Sequence, residues 1–181
     1  MQVIEKSLKG LVEIIPTVYT DERGAFFETF NSTAFEKYGL PTHFVQDNQS
    51  FSKKGVVRGL HFQTEPYAQG KLVRVVVGRV IDVAVDIRVG SPTFGQYEMV
   101  ELDAIRQNMF YVPAGFAHGF VALEDTVFCY KCTNVYHKAS EGGIAWNDPD
   151  LNIDWQVANP TVSDKDQQLP FFKQVFEGVS F

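Results

Sequence analysis

Four histidines, one C-x-x-C and a few isolated cations are the groups in this 181-residue chain that could do chemistry. The histidines are His43, His61, His118 and His137, and two of them have the richer settings. His61 lies in VVRGLHFQ, with Arg58 three residues before it and Lys71 ten after. His118 lies in VPAGFAHGF, where Pro113 and Gly115 shape a turn that aims the imidazole at one end of the following strand. A lone histidine is more often a hydrogen-bonded structural residue than a catalyst, but imidazole is the side chain suited to moving protons near neutral pH. Two histidines on neighbouring strands could also bind a metal. The common strand-borne pattern is His-x-His; here Gln63 takes the second place and Lys71 would repel a cation. The ligand set is incomplete, and no metal is expected.

Cys129-Tyr130-Lys131-Cys132 taken alone suggests redox or zinc chemistry. It falls inside the strand-like run VFCYKCTNVY, where residues three apart face opposite sides and lie roughly 10 Å apart. A disulfide needs Cα atoms within about 7 Å, and no second cysteine pair exists to complete a zinc site. Both cysteines are expected to be free. Arg23, Arg58, Lys71 and Lys165 each stand in a polar or turn-rich motif rather than in a charge run, and arginine forks suit phosphate oxygens. Tyr130 and Tyr136 share parity along one run, so they are expected to face one side, either lining a pocket or packing in the core.

The elements that must position these groups are legible in outline. Hydrophobic residues make up 45% and charged residues 21%, an ordinary globular balance. An aromatic content of 14%, including 16 Phe, together with 14 Gly and 8 Pro, favours strands joined by turns. Strands are expected over 11–15, 25–30, 44–50, 56–63, 72–77, 79–87, 97–102, 109–112, 117–123 and 127–136. A helix is expected over 31–38, capped by Asn31 or Ser32 and stopped by Gly39. A second short helix starts from Ser163, with Asp166 three residues on as a variant of the capping box. Many short, evenly spaced strands predict an all-β sandwich or barrel. In 79–87, Ile81, Val83, Val85 and Ile87 form a core face. Val80, Asp82, Ala84 and Asp86 look into a polar cavity, towards Arg or Lys partners, or into solvent.

The length fits a single domain over 1–181. A net charge of −6 argues against broad nucleic-acid binding, while a few local cations can still bind one phosphate group. The start, MQVIEKSLKG, has no apolar leader core, and the most apolar stretch, 72–87, is interrupted by Arg74, Arg79, Asp82 and Asp86. No run approaches the roughly 18 apolar residues of a membrane span. No membrane partner and a cytoplasmic location are expected.

With these motifs assembled, the sequence resembles the dTDP-4-dehydrorhamnose 3,5-epimerase family, whose fold is a cupin-type jelly-roll β-sandwich with short peripheral helices. The resemblance rests on DERGAFFETF at 21–30, QDNQSFSKKGVVRGLHFQ at 46–63, AQGKLVRVVVGRVIDVAVDIRVGSPTFG at 68–95, VPAGFAHGF at 112–120, CYKCTNVYHKASEGGIAWNDPDL at 129–151 and SDKD at 163–166. Two departures are visible: Gln156 stands where the family usually has Pro, and Val162 where Leu is usual. The resemblance implies a substrate, dTDP-4-dehydro-6-deoxy-D-glucose, whose carbons 3 and 5 flank a 4-keto group and carry acidic protons on one face of the ring. It implies His61 as the base and Asp166 as the carboxylate that orients it. Tyr130 is then the acid on the opposite face, and Lys71, assisted by His118, the stabiliser of the enolate oxygen. Arg23 and Arg58 match diphosphate contacts; Glu28, Gln46, Asp47 and Asn48 match nucleotide contacts. Tyr136 matches the aromatic that stacks on thymine, and Glu141 and Lys165 match further substrate contacts. The implied reaction uses no cofactor, and the implied assembly is a homodimer with strand exchange. Inversion at carbon 3 alone, a non-catalytic nucleotide-sugar binding module and a metal-dependent cupin oxygenase are the competing readings. Gln63 and Lys71 disfavour the last.

Overall fold

The computed structural model describes residues 1–178; the last three positions of the expected 1–181 unit lie outside the described residues. Strands are numbered along the chain. One antiparallel sheet runs in the order β1 (Gln2–Glu5), β2 (Val12–Ile15), β10 (Met109–Val112), β7 (Lys71–Val77), β12 (Thr126–Cys132) and β5 (Gln46–Ser52). A second runs β13 (Glu141–Gly143), β6 (Val57–Gln63), β11 (Phe116–Ala122), β8 (Arg79–Asp86) and β9 (Tyr97–Asp103). β3 (Tyr19–Asp21) and β4 (Gly24–Phe26) form a separate hairpin. The crossing order of both sheets is that of a jelly roll rather than a meander. Among the described residues, no helix is long and apolar enough to cross a membrane.

The two sheets close on a core contributed from both sides. Val73, Val75, Phe110 and Phe128 from the six-stranded sheet meet Val80, Val100, Leu102 and Phe120 from the five-stranded one. The outer face of the five-stranded sheet is covered as well. Leu151, Trp155 and Phe172 from the C-terminal stretch pack on Val83, Val85 and Ala117. β8 is therefore buried on both faces: Ile81, Val83 and Val85 lie under this outer layer, while Val80 and Ala84 point into the sandwich. Solvent reaches neither face, and the two aspartates must find partners inside.

Asp86 finds several. Arg88 forks onto it with Nε 2.8 Å from Oδ1 and Nη2 2.7 Å from Oδ2, and the Ser91 and Thr93 hydroxyls donate to Oδ2 at 2.7 and 2.6 Å. The Arg88 guanidinium also lies 4.4 Å over the Phe116 ring. Burial pushes the Asp86 carboxyl up, but these donors together outweigh it and hold the pKa at about 2.

The helices follow their caps. In α1 (Ser32–Glu36), Asn31 Oδ1 accepts from Ala34 N at 3.1 Å, and Gly39 ends the segment with φ +65. In α2 (Asp164–Gln167), Ser163 Oγ accepts from Asp166 N at 3.1 Å. α3 (Phe172–Val175) seats Phe172 in the outer layer. Two expected strands are shorter than their patterns. The 25–30 run is strand only to Phe26. The 127–136 run stops at Cys132, because that residue sits opposite both Gln46 and Lys71, the first residues of its two neighbours. Gln156 adopts φ +57 and donates its N–H to Asp154 Oδ1 at 2.9 Å. Proline could do neither, so this turn is one that the family's usual residue would not form.

Asp86→Asn should lower unfolding stability at pH 7 by about 2 kcal/mol, the free energy equivalent of its depressed pKa. That contribution is present above about pH 4, where the unfolded carboxyl is ionised, and fades as pH falls through about 2. Denaturant unfolding from pH 7 down to 2 checks it. The variant should show a flatter acid limb, and an unchanged limb would contradict the assignment.

Candidate active site

The sandwich is open between β5, β7 and β12 on one side and β6 and β11 on the other. A cavity of about 280 Å³ there is lined by Arg58, His61, Lys71, His118, Tyr130, Lys165 and Asp166, among others. Phe120 and Phe128, stacked at 4.3 Å, also line it. A second hollow of about 360 Å³ shares His61, Lys71 and Tyr130 as walls and adds Gln46, Asn48, Tyr136 and Glu141. The two form one cleft with a common waist.

A defect in the ladder puts Arg58 and His61 on the same side. On a regular strand, residues three apart face opposite ways. Against β11, however, Arg58 sits opposite Phe120 and His61 opposite His118, so β6 carries one extra residue across this step. The bulge reverses parity and brings both side chains to the cavity. Glycines permit it. Gly59 has φ +123, and a Cβ there would lie 2.6 Å from Gly119 Cα; a Cβ on Gly119 would lie 2.6 Å from Arg58 O.

His61 Nε2 lies 2.8 Å from Asp166 Oδ1, and Gly59 N donates to Asp166 Oδ2 at 3.3 Å. Asp166 is buried. Burial pushes its carboxyl up, but the His61 hydrogen bond and charge, the Gly59 N–H and the Lys165 charge outweigh that and hold it below the usual carboxylate range. An ionised Asp166 fixes the proton on Nε2 and leaves Nδ1 as the basic nitrogen. Its carboxylate is thus committed to β6, and only the Ser163 half of the expected capping pattern forms.

A second histidine–carboxylate pair stands opposite the first. His118 Nε2 lies 2.9 and 3.0 Å from the two Asp82 oxygens. Burial pushes Asp82 up against the opposing pull of His118 and Lys71. Burial pushes the Lys71 ammonium down, against the pull of Cys132, Asp82 and Glu141. Burial and Cys132 raise the Tyr130 phenol against the nearby Arg58 charge, so it keeps its proton at neutral pH. Arg58 is braced by Ser52 Oγ at 2.9 Å from Nε and Phe51 O at 3.0 Å from Nη2. At the outer lobe Glu141 accepts from Lys165 Nζ at 2.6 Å and Tyr136 OH at 3.1 Å.

A base held by a buried carboxylate, a protonated phenol and a part-buried ammonium around one cleft can remove and return protons beside a carbonyl. A family model described as dTDP-4-dehydrorhamnose 3,5-epimerase matches residues 5–174. The chain belongs to this epimerase family. A dTDP-4-dehydrorhamnose 3,5-epimerase from Shigella flexneri is 54% identical over 168 residues, covering 92% of this chain and 93% of that one. The crystal structure of such an epimerase from Elizabethkingia anophelis NUHP1 superposes with a TM-score of 0.92 at 51% identity, covering 96% and 97% of the two chains. An epimerase structure from Legionella pneumophila Philadelphia 1, in complex with dTDP-4-keto-L-rhamnose, gives a TM-score of 0.90 at 47% identity and covers 94% and 92%.

Against the expectations for this epimerase fold, the cleft gathers His61, Asp166, Tyr130, Lys71, Arg58, His118, Lys165, Gln46, Asn48, Tyr136 and Glu141. Three expected contacts lie elsewhere within one chain. Arg23 stands exposed on the β3–β4 hairpin, paired with Asp21 at 2.6 Å. Glu28 accepts from Asn31 Nδ2 at 2.9 Å. Asp47 alternates with the inward Gln46 and Asn48 and pairs with Lys131 at 2.6 Å in a hollow on the outer side of the sheet. Tyr136 reaches the cleft, but not by sharing strand parity with Tyr130, because β12 has already ended. Cys129 and Cys132 are both free.

Sequence reasoning missed Asp82 as the partner of His118, and the Phe120–Phe128 floor. Alternation on β11 places Phe120 on the His118 side and was the available signal; nothing local pairs β8 with β11.

Gly59→Ala should destabilise the epimerase by about 1–3 kcal/mol through its backbone conformation alone and displace His61. Thermal melting and turnover should both fall. Unchanged values would contradict the role of the bulge.

Proposed function

We propose that the chain converts dTDP-4-dehydro-6-deoxy-D-glucose into dTDP-4-dehydro-L-rhamnose by inverting carbons 3 and 5, as a cofactor-independent isomerase. The observation that carries this is the His61–Asp166 pair facing Tyr130 and Lys71 across one cleft, in a chain about half identical to proteins named for that reaction.

The 4-keto group acidifies the hydrogens on carbons 3 and 5. His61 removes one, and the charge that passes to the carbonyl oxygen is met by Lys71, with His118 assisting. Tyr130 then returns a proton from the opposite face, inverting the centre. General acid–base transfer supplies about 10²–10⁴-fold each, and a donor at the oxyanion about 10²–10³. The balance involves protons only and requires no redox cofactor. Both centres present their hydrogens on one ring face, so a single base serves both after the ring changes pucker. Between the two inversions His61 must release its proton and Tyr130 must regain one.

Arg58 and Lys165 would bind the diphosphate side. Gln46, Asn48 and Tyr136 would bind the nucleotide, with Tyr136 stacked on thymine and Glu141 holding Tyr136 and Lys165 together. The jelly roll and the C-terminal helix act as one domain, since the base and its orienting carboxylate come from positions 105 residues apart. A homodimer with exchanged strands would bring Arg23, Glu28 and Asp47 into use from one subunit at its partner's site. Exposed apolar groups at Tyr19, Phe26, Phe51 and Val77 support such an interface. A cytoplasmic location fits a nucleotide-sugar substrate.

Incubation with the 4-keto sugar nucleotide in deuterium oxide, followed by NMR of the ring hydrogens, tests the reading. Exchange at carbons 3 and 5 is expected. Exchange at carbon 3 alone would assign single epimerisation, and tight binding without exchange would leave a binding module. Tyr130→Phe should slow completed inversion more than exchange. Asp166→Asn should lower kcat by about 10⁴-fold, as losing an orienting carboxylate does elsewhere, and a near-normal kcat would remove Asp166 from the mechanism.

A further inference from the structure

We propose that Gln63 is a positioning residue that holds Tyr136 in place at the nucleotide end of the cleft. This rests on the reading of Tyr136 as a nucleotide contact. Beyond Cys132 the chain leaves the sheet, because both flanking strands have begun there. Residues 133–137 must still satisfy their backbone polar groups.

Glutamine side chains replace the missing ladder. Gln69 Nε2 donates to Asn134 O at 2.8 Å, and Gln63 Nε2 donates to Val135 O at 3.1 Å. Tyr136 N donates to Gln46 Oε1 at 2.7 Å, and His137 N donates to Gln63 Oε1 at 2.8 Å. Four consecutive residues are thus each held by an amide, and Gln63 grips the residue on either side of Tyr136. Its second donor reaches Tyr67 O at 2.6 Å, tying in the neighbouring loop. The Tyr67 ring stacks on His137 at 3.9 Å and 13°. Both donors and one acceptor of Gln63 are in use, and the residue is only 9% exposed.

Tyr136 itself is 53% exposed. Among the described residues its hydroxyl bonds only to Glu141, so the backbone clamp sets where the ring stands. A ring fixed before binding loses less freedom on stacking, and the gain appears as affinity. Gln63 stands on the same strand as His61 but acts on the nucleotide end rather than on the reacting carbons.

Gln63→Met keeps the volume and removes all three hydrogen bonds. The dissociation constant for dTDP, measured by calorimetry, should rise about tenfold, on the scale of one or two net hydrogen bonds. KM should rise with it, while kcat at saturating substrate stays within about twofold. A merely structural residue would instead lower kcat and melting temperature and leave dTDP affinity alone. Tyr136→Ala should also weaken dTDP binding, and adding Gln63→Met to it should weaken binding no further. Independent, multiplying effects would overturn the proposal, as would a Tyr136→Ala defect with normal dTDP binding in Gln63→Met. Normal dTDP binding in Tyr136→Ala would instead bring down the nucleotide reading beneath it. If the methionine variant does not fold, Gln63→Glu keeps the His137 bond, loses both donated ones and should show the same split.

Discussion

A 2.8 Å hydrogen bond between His61 Nε2 and Asp166 Oδ1 joins residues 105 positions apart in the chain, and most of the site is arranged around it. Asp166 is buried, and a buried carboxylate without partners would cost several kcal/mol. Its partners are supplied by β6 and by the N-cap of α2. The bulge in β6 offers Gly59 N to one oxygen and turns His61 towards the other. The Ser163 cap fixes the first turn of α2, so the carboxylate arrives at the right depth. The outer layer built on Trp155 and Phe172 belongs to the same C-terminal stretch that carries α2 back over the five-stranded sheet.

The electrostatics of the cleft follow from burial. A chain of net charge −6 places Arg58, Lys71 and Lys165 around one cavity, so an anionic ligand meets three cationic side chains there. Acidic groups stand among these basic side chains: Asp82 beside Lys71 and His118, Asp166 beside His61, and Glu141 beside Lys165. Lys71 is easier to deprotonate than a surface lysine and Tyr130 harder. Tyr130 therefore still holds the proton that the proposed mechanism has it donate, and Lys71 is placed to answer charge at an oxygen with little reorganisation.

Alternation and turn residues made the strands legible, and Asn31, Gly39 and Ser163 marked helix ends that the structure keeps. What alternation could not show was context. The aspartate face of 79–87 reads as fit for solvent as for a cavity; it points into the sandwich, while residues far along the chain cover the Ile81, Val83 and Val85 face. The 127–136 run kept its pattern past Cys132, but a strand ends where its neighbours do. Arg58 and His61 had spacing for opposite faces, and only the register against β11 exposes the extra residue. The pairing of His61 with Asp166 entered through the family resemblance, since no local signal links positions so far apart. Gln63 reads in the sequence only as a poor metal ligand, because its hydrogen bonds exist only once two loops have met.

In the proposed mechanism one base, His61, oriented by Asp166, removes the hydrogen at both carbons. Deuterium wash-in at carbons 3 and 5 of the 4-keto sugar nucleotide, followed separately in His61→Ala with nucleotide binding confirmed, tests it most directly. Both exchange rates should collapse together. Exchange surviving at either carbon would contradict it and require a second base.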